Sequence, residues 1–206
     1  AMAWIGLVQS AVWHSNRKMV QANGGTWERH RAHFCQNRNA HVFRLRVVTR
    51  IGDFFSKRPG IGLLSSNPQK IGVQNGNYFV ASEALKEYDL WKPLLESFPD
   101  GLNKFVYWTF WPSTVFSASA IQDLVKLFKE NKLLKHIMKE TKIWATEEVI
   151  FPTLVALLGY EIILNPCDYE YVKYKVSYTV KDIESAMNKP PVFWVHPVER
   201  ALEDPL

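Results

Sequence analysis

The ten residues from Val149 to Leu158, VIFPTLVALL, carry no charged side chain, and Thr153 is their one polar member. Gly159 follows where a helix C-cap glycine belongs, and then comes YEIIL (160–164), which reads as a buried strand. A helix that is apolar on most sides has to be enclosed by other elements. This run is about half the roughly 18 unbroken apolar residues that a membrane span needs, and Pro152 interrupts it. It therefore calls for partner layers. KFVYWTFW (104–111) is dense in β-branched and aromatic residues and predicts a strand ended by Pro112. SASAIQDLVKLFKENKLLKHIMKE (117–140) places Ile121, Leu124, Val125, Leu127, Phe128, Leu133, Leu134, Ile137 and Met138 at helical spacing with a break around Asn131, hence two helices.

Elsewhere the pattern is more broken. Ser82 is a possible N-cap for a helix over 82–98 that Pro93 interrupts. Residues 54–78 hold apolar pieces separated by Pro59, Gly60, Gly62, Pro68, Gly72 and Gly76, which predicts short strands and turns. HVFRLRVVTRI (41–51) alternates apolar and basic residues as a strand with one exposed face. Residues 169–180 read as a strand or hairpin arm and 192–198 as a last short strand, whereas 13–41 shows no period and reads as loop. Strands and helices interleave, so the expected class is a layered α/β domain over 51–206 with a mixed sheet, preceded by a basic, loop-rich segment over 1–50.

The balance of charge is uneven. The chain carries +5 in total, but residues 1–50 hold eight Lys or Arg against Glu28 alone, a local +7 that leaves −2 for the other 156 residues. That segment points to an anionic partner or to solvated charge. With 47% apolar and 14% aromatic residues, the chain has the makings of a globular domain rather than of a disordered one. Cys35 and Cys167 match no C-x-x-C pattern, so neither a zinc site nor a redox motif is readable and a reducing compartment is expected. No signal peptide or membrane span is legible, and a cytoplasmic location is the expectation.

Ahead of the apolar run stand Glu147 and Glu148, in WATEEVIFPT (144–153). Thr146 can cap a helix starting at Glu147, where the helix dipole favours acids. Pro152, however, cannot donate to the carbonyl of Glu148, so the helix can instead begin near Pro152. Either way the carboxylates lie at a helix start beside buried structure. As first-turn helix formers they need no further role.

The segment resembles the acidic motif of the core-2/I-branching glycosyltransferases, an Asp-Glu pair followed by two residues, an aromatic, one residue and Thr; here it is Glu147-Glu148-Val149-Ile150-Phe151-Pro152-Thr153. FWPSTVFSASAIQDLVKLF (110–128) is similar to the family's strand, serine-containing turn and helix, so the likeness covers about 103–164. Glu replaces the usual Asp at 147, and Ala120 stands where the family has Arg if Ser119 is the turn serine. The resemblance implies a GT-A-like fold and inverting transfer of a sugar from a nucleotide sugar to an acceptor hydroxyl. Glu148 would be the general base, with Glu147 supporting it. Trp108, Trp111, Trp144 and Ser113 are the implied substrate contacts, the indoles offering flat faces to sugar C–H groups or simply core packing.

The resemblance implies no metal and no further cofactor; the chain has no Asp-x-Asp, and Glu87-x-Asp89 and Asp168-x-Glu170 are weak substitutes. The leaving diphosphate then needs basic residues, for which Arg200 is preferred, with Lys173 and Lys175, then Lys181 and Lys189, behind it. His196 reads as a structural histidine rather than a second base. A GT-A enzyme also has a nucleotide-binding half of about a hundred residues ahead of the matched region, and residues 1–50 do not resemble it. Three accounts stay open: a compact transferase, a piece lacking its donor half, and a relative that binds glycans without turnover. The rival of another class is a nucleic-acid-binding module built on the basic segment, with Trp13, Trp27, His30, His33 and Phe34 interleaved.

Overall fold

Strand β1 (Ile61–Lys70) is the middle of a three-stranded sheet, between β2 (Tyr107–Phe116), to which it is antiparallel, and β3 (Glu161–Leu164), to which it is parallel. The structure, a computed structural model, describes residues 49–71, 79–173 and 178–195. The chain divides into two units, Phe55–Pro166 and Ala1–Phe54 with Cys167–Leu206. The sheet belongs to the first. Its class is mixed α/β, as the interleaved pattern predicts.

The punctuation between 54 and 78 does not cut β1 into pieces, as the sequence suggests; the strand runs through Gly62 and Pro68. Gly62 is required by proximity, since a Cβ there would sit 2.5 Å from Cβ of Tyr160. Pro68 falls in a bulge: the chain goes from Ser66 to Gln69 while its partner advances only from Phe110 to Trp108, and Asn67 takes up φ 46°. Nor does Pro112 end β2. Leu64 pairs with Val115 and Ser66 with Phe110, so Pro112 lies in surplus chain where no ladder donor is called for. Ser65, Ser66 and Thr114 all direct hydroxyls to the carbonyl of Phe110, at 3.0, 3.3 and 3.5 Å, which satisfies the irregular stretch.

The expected helix over 82–98 is two helices, α1 (Phe79–Leu85) and α2 (Tyr88–Glu96). Ser82 lies inside α1 rather than capping it, and Pro93 lies inside α2. Burial outweighs the one lost bond, because Trp91, Leu94 and Leu95 of α2 are completely enclosed and each contributes about 2 kcal/mol or more. The indole of Trp91 stacks on Phe105 with centroids 5.6 Å apart. A 3-10 turn (Gly101–Lys104) leads into β2.

The break at Asn131 is as predicted. α3 (Ala118–Glu130) is capped by Ser117, which accepts from the amide of Ala120, and α4 (Lys132–Glu140) by Asn131, which accepts from Leu134. Ser117→Ala is expected to cost about 1 kcal/mol, read as a lower urea midpoint. The apolar run forms α5 (Phe151–Leu157), buried from Pro152 onward, where Leu154, Val155 and Leu157 share one core with Leu63, Leu124 and Val149. Gly159 ends it with φ 90°, as a C-cap glycine should.

β3 departs from expectation in being half-exposed: among the described residues it pairs with β1 alone, and Leu164 is 59% exposed. The last residues of the expected strand over 41–51 are helical, part of a helix over 49–57 in which Ile51, Phe54 and Phe55 sit at helical spacing; 41–48 lie outside the described residues. Residues 169–180 and 192–198 give no continuous strand among the described residues, only an isolated bridge between Asp168 and Val192 and single bridge residues at Val172 and Tyr178. Instead the chain enters helix α6 (Val180–Asn188) through a capping box in which Thr179 and Asp182 satisfy each other's backbone. The Thr-x-x-Asp spacing is itself a helix-start signal, and it outweighs the loose alternation before it.

Candidate functional site

Thr146–Ile150 form a single π turn that passes directly into α5. Pro152 explains it. Without an amide at 152, no α-helical bond can close on Glu148, and the turn widens so that the amide of Phe151 bonds the carbonyl of Thr146 five residues back. Both sequence expectations for the helix start are thereby half right: the helical path begins at Thr146, inside the turn and not as its cap, and regular α-helix begins beside Pro152.

The turn lies against β2. Thr153 of α5, 1% exposed, accepts from the amide of Tyr107 at 3.0 Å and donates to its carbonyl at 3.4 Å. Further along the same strand edge, the carboxylate of Glu148 accepts from the indole N–H of Trp108 at 3.3 Å and from the backbone N–H of Trp111. Among the described residues β2 pairs with β1 alone, and these side chains supply partners to its other edge. Thr153 is the last residue of the acidic motif, and its work is to fasten α5 to the strand that holds the glutamate. Thr153→Val keeps the shape but strands the Tyr107 amide, an expected loss of about 1–3 kcal/mol in urea unfolding.

Glu148 is half-buried, and burial raises its proton affinity above the ordinary value of 4.5; the Trp108 indole opposes this, the negative charge of Glu147 adds to it, and the Trp111 amide opposes it again. The result is a carboxylate more basic than one in water yet fixed by two donors. A carboxylate has about four lone-pair sites, so others are left for a hydroxyl donor. Trp111 turns its ring into an aromatic group, 6.1 Å from Phe116 and 6.2 Å from Phe151, and is itself half-exposed.

The structure thus brings Glu148, Glu147, Trp108 and Trp111 together. Trp144 is 68% exposed, on the segment just ahead of the turn. Ser113 lies in β2, its side chain outside what is described, and Lys175, Arg200 and His196 fall outside the described residues. Lys173, an exposed residue, belongs to the other unit, as do Lys181 and Lys189; Lys189 is engaged with Glu170 at 2.7 Å. Among the described residues no three His, Cys, Asp or Glu converge as a metal site. Glu87 is occupied otherwise, accepting from the amide of Lys142 at 2.7 Å and from the Thr141 hydroxyl. Burial pushes the Cys167 thiol up to about 11, which leaves it largely protonated and unreactive.

The participation of Glu87 and of the Trp111 backbone is not legible in the sequence. Comparison with protein-family models, with curated proteins and with solved structures finds no significant match.

Proposed function

We propose that the protein is an inverting glycosyltransferase of GT-A type in which Glu148 takes the proton from an acceptor hydroxyl as that oxygen attacks the anomeric carbon of a nucleotide sugar. The observation that supports this best is the state of Glu148: half-buried, raised in proton affinity, and aimed by Trp108 and Trp111. A general base works best when its pKa approaches the operating pH, and burial moves a glutamate in that direction. The half-exposed ring of Trp111, next to the base through its own backbone bond, is the stacking face for the sugar. Glu147 adds negative charge that holds the proton on Glu148 more firmly once transferred. The departing diphosphate needs cationic counter-charge in such a reaction.

The two donors to Glu148 also favour a second reading, in which the residue only seals the edge of β2. Turnover and stability of Glu148→Gln separate them: a base loses turnover, a seal only stability. The nucleic-acid reading rests on the basic segment 1–50, of which 1–48 lie outside the described residues, and on none of this geometry.

Transfer requires Glu148 ionised, so activity is expected to fall on acidification along a limb above 4.5, a limb absent from the residual activity of Glu148→Gln. Stability runs the other way. The folded state holds the proton more tightly than the unfolded chain, so this group's contribution is present below 4.5 and is lost as pH rises through the folded value. Urea midpoints of wild type and Glu148→Gln are therefore expected to diverge in favour of wild type toward low pH.

A further inference from the structure

Helix α4 is two-faced. Leu134 and Ile137 are completely buried, where the helix packs on α2 and α3, whereas Lys132, Lys135, His136 and Lys139 are exposed at the spacing of a single helical stripe. One carboxylate, Glu140, shares that face. Leu133 and Met138, half-buried, lie on the two flanks of the helix and pack against the core. The chain then leaves the helix in an extended segment whose alternation buries Ile143 and Ala145 and turns Lys142 and Trp144 outward. The segment is not loose, for Glu87 takes the Lys142 amide and the Thr141 hydroxyl, and that hydroxyl accepts from Ile143. None of these four lysines is within 4.0 Å of a carboxylate among the described residues.

We propose that this basic face of α4, with Lys142 and Trp144, is a docking surface for an anionic lipid bilayer. A line of ammonium groups meets mobile anionic headgroups in any arrangement, and a rigidly presented indole at its end has the amphipathic character of a membrane-interface anchor. The 68% exposed indole of Trp144 argues for lipid over nucleic acid, since its hydrocarbon body and N–H match the boundary between acyl chains and headgroups. The helix lies on the surface and does not cross it; among the described residues no helix is long and apolar enough to do so. The surface is independent of the catalytic proposal and survives its failure.

The test is co-sedimentation of the full chain with vesicles of phosphatidylcholine containing about one-third phosphatidylglycerol. Binding is expected at low salt, to fade as added salt screens the charges, and to be absent with phosphatidylcholine alone. Lys135→Gln with Lys139→Gln is expected to weaken binding about 25-fold, roughly fivefold for each lysine. The blue shift of tryptophan emission on binding should shrink in Trp144→Phe. Full-strength binding of the double variant would overturn the proposal by placing the attraction in residues 1–50. So would equal binding to uncharged vesicles, no binding at all, or a loss in the double variant of single-stranded DNA binding alone. Both substitutions lie at exposed positions, and circular dichroism of each variant excludes misfolding as the cause.

Discussion

Glu148→Gln is expected to reduce sugar transfer by about two to four orders of magnitude while leaving donor affinity within about twofold of wild type. The amide has nearly the carboxylate's shape, and its oxygen can accept from Trp108 or from the Trp111 backbone. If the two donors meet different carboxylate oxygens, the N–H2 replaces one acceptor and one bond is lost. The cost is about 1 kcal/mol against a stability of about 5–15 kcal/mol, so the variant stays folded. What disappears is basicity, since an amide does not take a proton at neutral pH. Calorimetric titration with a uridine diphosphate sugar and a coupled transfer assay read the two quantities separately. Turnover near wild type, with only the unfolding midpoint lowered, would leave Glu148 as a tie on the strand edge.

Gly101→Ala is the substitution expected to damage the fold most. Gly101 is buried at the start of the 3-10 turn, and a Cβ there would lie 2.0 Å from the carbonyl oxygen of Leu95 and 2.9 Å from its carbon, with Cδ2 of Leu157 at 3.3 Å. Main chain cannot swing aside as a side chain does, so α2 and the turn must separate. An expected loss of about 3 kcal/mol or more follows, as a large drop in unfolding midpoint. Because Leu157 belongs to α5, the displacement reaches the helix behind the π turn. Gly52→Ala is the control: nothing lies within 4 Å of its Cβ, it is in a helix, and a gain of about 0.5–1 kcal/mol is expected. Similar losses at both positions would mean that the close approach to Leu95 is not what Gly101 is there for.

Local chemistry is the most legible part of the sequence. Asn131 announces a break because its side chain can cap α4, and Gly159 a helix end because it accepts φ 90°. Glu147 and Glu148 stand out for lying against an apolar run, and Pro152 announces the bond missing at Glu148, though not the π form of the turn. Proline misleads where tertiary context decides otherwise. Pro93 is kept helical by Trp91, Leu94 and Leu95, and Pro68 and Pro112 sit in bulges that no period-two pattern reveals. The half-exposed setting of β3 is hidden for a related reason, since YEIIL looks equally apolar with one strand neighbour or two. Long-range partners are illegible altogether. Glu87 meets Thr141 and Lys142 across 54 and 55 positions, and Trp108 meets Glu148 across 40.

Whether Glu148 can serve as a base depends on how it holds its proton, and a carboxyl-carbon NMR titration of that side chain measures this directly. A midpoint above 4.5, moving higher in Trp108→Phe as the opposing indole bond is removed, is the predicted result. A midpoint at or below 4.5, unmoved by that substitution, would contradict it.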